Sequence, residues 1–252
     1  MKSLQSNLRK LGTKSRVVLS AGLVSCAVGI LGLSRAAAGP TQVGKEELET
    51  RCHPAFQAVP RITRTRTGIP GDPVNVAIVA TESQLVQALL KAGWQPADPI
   101  TLHSTLRITA STVFHRAYAH APVSNLYVGR HKQDLAFEQV VGKDARRRHH
   151  VRFWKSREVD TAGRPLWLGA ATYDKGVGIS HTTGLPTHHI APDVDAERDK
   201  LMMDLRRAGE VGYWFWIDHF QEQLQGRNGG GDPYHTDGRL AVGVLGPAAS
   251  LD

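Results

Sequence analysis

From Val74 onward the chain alternates short apolar runs with turn residues, and only two segments carry clear helical periodicity. That order restricts the fold more than any other feature. Val74–Ala80 has strand composition. Thr81–Lys91 follows as a helix, with Thr81 or Ser83 to cap it and Leu85, Ala88 and Leu89 on one face. Gly93 ends it, and Trp94 reads as an anchor into the core. Leu102–Ala117 carries a weaker helical pattern. Ser124–Gly129, Asp134–Val141, His149–Lys155 and Pro165–Tyr173 place Phe, Trp, Val and Leu between turn residues, as strands do. Asp160–Gly163 suits a hairpin turn between the last two. Asp195–Ala208 is the strongest helix: Asp195 suits its N-cap, Arg206 and Arg207 suit its last turn, and Gly209 stops it. Val211–Phe220 reads as an aromatic strand or a helix start and Arg239–Leu245 as a final strand, separated by the glycine turn Gly229–Asp232. The order predicts an α+β fold: a mixed or largely antiparallel sheet with helices on one face. Before it, Arg61–Thr67 reads as a short exposed strand and Ile69–Pro73 as a turn.

The first residues have a different character. Val17–Leu33 is a run of 17 residues without a charge, flanked by Arg16 and Arg35. Lys2, Arg9, Lys10, Lys14 and Arg16 precede it with no acid among them. A basic segment before an apolar run is a signal-anchor or an export signal. The run is at the short end for spanning a bilayer and is diluted by Gly and Ser, and Ala36–Ala38 offers a small-residue cleavage site with Gly39 as the new first residue, so both readings stand nearly even, with the anchor slightly ahead. Either way the first sixteen residues stay in the cytoplasm and the rest is exported. This divides the chain into a basic segment 1–16, an apolar helix 17–38 as signal-anchor or signal peptide, a linker and domain edge 39–73, and an α+β domain 74–252. The segment makes the membrane the first expected partner and the inner membrane the expected location, or export if Ala38 is the cleavage point. Cys26 sits in the lipoprotein-like string Leu23–Cys26, but the residues after it stay apolar. Cys52 is the one cysteine of the exported part, so two domain cysteines cannot pair. The net charge of +8 is concentrated in the basic segment and in short arginine runs, with no nucleic-acid-binding motif, which argues against a nucleic-acid partner.

Titratable residues concentrate between Arg146 and Asp199. In a strand His149 and His150 face opposite sides. His149 shares its face with Val151 and Phe153 and reads as a core histidine, whereas His150 is grouped with Arg148 and Arg152. A second pair, His188 and His189, lies between Pro186 and Pro192 and is followed by Asp193, Asp195, Glu197 and Asp199. Helix capping explains part of that acid run. The functional alternative joins one histidine of each pair to Asp193 or Asp195. The candidate catalytic residues are therefore His150, His188, His189, Asp193 and Asp195. His150, His189 and Asp193 are the candidates for a divalent metal, a set without a diagnostic spacing. Arg130, Arg148 and Arg152 are candidates to hold a phosphate or carboxylate, or else they pair with Asp193–Asp199. No GxSxG elbow is present, and Gly229–Gly231 lacks the Lys-Ser/Thr of a phosphate loop.

Six ordered blocks, APVSNLYVGR (Ala121–Arg130), QDLAFE (Gln133–Glu138), RRHHVRFW (Arg147–Trp154), WLGAATYD (Trp167–Asp174), HHIAPDVDAERD (His188–Asp199) and GDPYHTDGRL (Gly231–Leu240), resemble the LssY-type carboxy-terminal domain family. Asn75–Trp94 fits the family's beginning, so the resemblance spans roughly Val74–Leu245. It implies a bacterial, envelope-associated domain of unestablished activity, named from a larger membrane protein linked to type I secretion. Envelope or secretion-system proteins are the partners it implies. Relatives can carry a phosphatidic-acid phosphatase domain, whose catalytic blocks are missing here. Two functions remain: an accessory or ligand-binding envelope domain, and a hydrolase acting on a phosphate or other anionic group, with or without a metal.

Overall fold

The computed structural model describes Phe56 and residues 58–97, 125–142, 144–182, 184 and 186–246. The apolar N-terminal segment, the alanine cleavage motif, both cysteines and the weak helix Leu102–Ala117 lie outside the described residues. Among the described residues no helix is long and apolar enough to cross a membrane.

The strands are β1 (Ile62–Arg64), β2 (Pro70–Pro73), β3 (Val76–Val79), β4 (Gln95–Pro96), β5 (Tyr127–Val128), β6 (His131–Lys132), β7 (Leu135–Val141), β8 (Asp144–Val159), β9 (Pro165–Ile179), β10 (Pro186–Ile190), β11 (Val211–Ile217), β12 (Gln225–Arg227), β13 (Pro233–His235) and β14 (Leu240–Leu245). Helix α1 is Glu82–Lys91 and α2 is Val194–Arg207. The main sheet runs β11-β14-β3-β9-β8-β7-β4, with β10 added along β9. Only β14 and β3 pair in parallel; the other ladders are antiparallel. The α+β class with a mixed, largely antiparallel sheet is what the sequence predicts. Ile69–Pro73 differs. Instead of a turn it forms β2, and the reversal falls earlier, where Thr65 accepts from Gly68 and donates to Ile69 and Gly68 takes a φ of 86°.

Strand alternation splits the sheet into two faces. Val76, Ile78, Phe137, Val151, Phe153, Trp167 and Ala171 point to one side and pack against Leu85, Val86 and Leu89 of α1 and Leu201, Met202 and Leu205 of α2. Each such leucine, fully buried, contributes about 1.5–3 kcal/mol. Trp94, buried beneath α1, donates its indole N–H to Asp204 of α2 at 3.1 Å. Thr81 caps α1 with a full capping box through Gln84. Asn75 ties helix to sheet. Its amide donates to the carbonyls of Ala171 and Val194 and its oxygen accepts from Ala171, so this buried polar group is satisfied on both sides. The opposite face carries Ala77, Val79, Leu166, Leu168, Phe215, Ile217, Leu240 and Val242, covered by Phe56 and Phe220.

Strands β8 and β9 position the site. The first part of β9 pairs with β3, from Leu166 to Gly169, and its second part pairs with β10, from Asp174 to Ile179. Beyond the apolar core, the face opposite the helices is therefore built by β7, β8, β9 and β10 alone, and there its character turns polar.

Candidate functional site

On that face the alternation of β8 aligns Arg148, His150, Arg152 and Trp154, and the cross-strand register sets Asp174 beside Arg148 and Thr172 beside His150. Arg148 is buried and fully engaged. Its Nε donates to Asp174 at 3.0 Å, its Nη1 to Glu138 of β7 at 2.7 Å, and its Nη2 meets His188 Nε2 at 2.9 Å. His188 Nδ1 lies 3.6 Å from Asp174. Arg152 Nη1 donates to Asp72 of β2 at 3.1 Å, and Asn228 donates to the other oxygen of Asp72 at 3.3 Å. Asn228 Oδ1 in turn accepts the backbone N–H groups of Gly230 and Asp232. Asp232 closes the rim. Its carboxylate accepts the Ile190 N–H at 3.1 Å and meets His189 Nδ1 at 2.7 Å.

Each charge is held where water is scarce, and the shifts follow. Burial pushes the Asp72 carboxyl up, opposed by the Arg152 charge, with Asp174 and Asp232 raising it further. Asp174 is likewise pushed up by burial and pulled back by Arg148. Burial holds the His150 imidazole well below the usual histidine range, and the charges of Arg152 and Arg148 push it the same way. His150 is therefore neutral at ordinary pH. Its Nε2 and the Thr172 hydroxyl beside it are buried without a hydrogen-bond partner among the described residues. Such atoms cost about 1–3 kcal/mol each when nothing meets them.

The histidine also sets a pH dependence. A lowered folded value means that the imidazole's contribution is fully present above its unfolded value near 6.5 and is lost as pH falls through the folded value. Below about pH 6.5 wild type should lose about 1.4 kcal/mol per pH unit on account of this one proton, and His150→Leu should not. Urea unfolding of both proteins at about pH 7, 6 and 5 checks this through their difference; parallel curves would contradict it.

The sequence candidates separate as follows. His150 and His188 come together on the polar face, and His189 stands at its rim. His149 faces the helices, where its Nδ1 meets Glu197 of α2 at 2.7 Å; it is only part-buried, while His150 is the deeper of the pair. Asp193 and Asp195 do not join the histidines. Asp193, not Asp195, is the N-cap of α2, accepting from the N–H groups of Asp195 and Ala196. Asp195 instead accepts from Arg198 and Thr236. Arg130 is exposed next to the Gly129 turn between β5 and β6. Arg148 pairs with Glu138 and Asp174, and Arg152 pairs with Asp72. Among the described residues, of the three metal candidates only His189 enters a ligand-like group, with His181 and Asp232, one ligand atom from each lying within 4.8 Å of the others.

Asp72, Glu138, Asp174, His181, Asn228 and Asp232 were not legible as site residues. Asp174 had a local signal, an acid ending an apolar strand on the same parity as Thr172. The others meet the site only through long-range strand pairing and turns. A sequence profile of the LssY C-terminus family matches residues 56–240, three quarters of the chain and every described element of the polar face. The chain belongs to the LssY C-terminus family. No curated protein and no solved structure matches it. In this LssY C-terminus domain the matched stretch begins before β1, so it takes in Asp72 of β2, in the segment the sequence assigns to the domain edge.

Proposed function

We propose that the chain is an exported or membrane-anchored envelope domain with an accessory, ligand-binding role, and that its ligand is met on the polar face. The apolar run Val17–Leu33 with its basic flank supports the location. The observation that carries the binding reading is the pair His150 Nε2 and Thr172 Oγ1, buried and without partners among the described residues, between two carboxylate-paired arginines. Buried polar atoms left open in this way supply hydrogen bonds to a small polar ligand at no reorganisation cost. Charge defines the class of ligand. Among the described residues three carboxylates, Glu138, Asp174 and Asp72, pair with Arg148 and Arg152, and a fourth, Asp232, pairs with His189 at the rim, so the face favours neutral or cationic groups over anions.

Native mass spectrometry of the protein purified from envelopes tests this. The expected result, on protein first treated with a chelator, is a small non-metal mass adduct that disappears on denaturation and is absent from folded His150→Leu. A chelated wild type without such an adduct, or the same adduct retained in His150→Leu, contradicts it. A hydrolytic reading has one observation in its favour, the carboxylate-oriented histidines His188 with Asp174 and His189 with Asp232. Turnover of a phosphate ester that is abolished in His188→Gln would replace the binding reading.

A further inference from the structure

Three segments that are distant in sequence converge at the rim of the polar face. His181 comes from the turn after β9, His189 from β10, and Asp232 from the turn between β12 and β13. The two turns are fastened to each other, since the His181 N–H donates to the Gly230 carbonyl at 2.9 Å. The His181 and His189 rings stand 5.4 Å apart between centroids. Asp232 is buried, His189 is half-buried and His181 is exposed.

The glycines here make close approach feasible. A Cβ on Gly178 would lie 2.4 Å from His189 Nε2, so only glycine lets this ring lie across β9. Gly231 has a φ of 84°, and a Cβ there would lie 2.7 Å from the His181 Cβ. The run Gly229–Gly231, which in sequence is only a turn, thus brings Asp232 and His181 together. The Asp232 carboxylate is oriented by the Ile190 N–H, and Asn228 fixes the backbone N–H of the same residue.

We propose that His181, His189 and Asp232 form a binding site for a divalent transition-metal ion of the zinc class. Two imidazole nitrogens and one carboxylate are the donor set that such ions take, and hard cations such as calcium prefer all-oxygen sites. The ion replaces the proton that His189 Nδ1 and Asp232 now share at 2.7 Å. The exposure of His181 leaves the outer side of the ion open, the arrangement of a site that exchanges ligands rather than one that only staples the fold. The Ile190 N–H and the Asn228 loop act as the outer shell that orients the carboxylate.

The test uses the full chain stripped of metal by a chelator and titrated with Zn2+ and with Co2+. Calorimetry should give one Zn2+ per chain, Co2+ should develop a visible ligand-field absorption, and zinc should raise the melting temperature. His181→Ala removes an exposed side chain and should fold normally. It should weaken zinc by at least about tenfold, the loss that even an outer-shell partner carries, and abolish the melting shift. Asp232→Asn should do the same if it folds, while His131→Ala, at an exposed histidine paired with Asp134 away from the rim, should change nothing. Absence of stoichiometric binding to wild type, or wild-type affinity in His181→Ala, overturns the proposal. Either failure leaves the adduct measurement on His150→Leu unaffected, so the two readings are separable.

Discussion

Arg148→Ala should cost about 3–5 kcal/mol, the loss found when one partner of a buried ion pair is removed. The guanidinium is 4% exposed and holds Asp174, itself 5% exposed. Without it Asp174 must stay charged in a poor solvent or take up a proton. Glu138 is 22% exposed and recovers part of its hydration, so Glu138→Gln should cost much less. For a domain of this size the loss is roughly 6–20 °C in melting temperature. The pH dependence discriminates the cause. In the variant the Asp174 carboxyl rises further above its unfolded value, so stability is greatest in acid and is lost as pH rises through the folded value. Adding Asp174→Asn to Arg148→Ala should recover a large part of the loss, and a double-mutant cycle by urea unfolding measures it. Additive costs would contradict the pairing.

Arg198→Ala, in the first half of α2, should be comparably damaging. The Arg198 side chain is 1% exposed and meets Asp195, Asp199 and Asp237 at 2.7–3.0 Å, the Arg239 carbonyl at 3.1 Å, and the Trp216 ring at 4.6 Å from its centroid. Truncation leaves a cavity beneath Trp216 and removes the bond that joins α2 to the turn before β14, for a cost of about 2–4 kcal/mol. Asp237 and Asp199 are exposed enough to rehydrate, which keeps the cost at that level. Arg198→Lys should not restore it, because a single ammonium cannot reproduce the planar fork. Burial alone would raise the Asp237 carboxyl, but hydrogen bonds from Arg198 and Arg239 hold it well below the usual carboxylate range. Its contribution is present above the unfolded value and disappears as pH falls through the folded value, in strong acid. The variant should therefore show a shallower acid limb. An unchanged limb would contradict the assignment.

The two networks show what a sequence reading can reach. Alternation alone places His149 and His150 on opposite faces and groups His150 with Arg148 and Arg152, as the structure has them. Periodicity places α1, α2 and the anchor Trp94. The partners of the arginines are another matter. Asp72 meets Arg152 across 80 residues and Asp174 meets Arg148 across 26, and neither separation leaves a local trace. Asp193 and Asp195 lie close to the histidines in sequence, but the helix start claims the first and Arg198 the second. Asp232 follows three glycines whose apparent flexibility hides a close approach that only the folded turn shows. Local chemistry was legible where one strand or helix carries it, and illegible where the sheet assembles it.

In the proposed function Arg148 and Arg152 hold the polar face together while His150 and Thr172 are kept open for a ligand. The unfolding free energy of His150→Leu at neutral pH tests it most directly. Leucine fills the buried position with no polar atom of its own, so the variant should be more stable than ligand-free wild type by about 1 kcal/mol. A loss of about 2 kcal/mol or more would show that the imidazole is bonded into the fold, and would contradict the account.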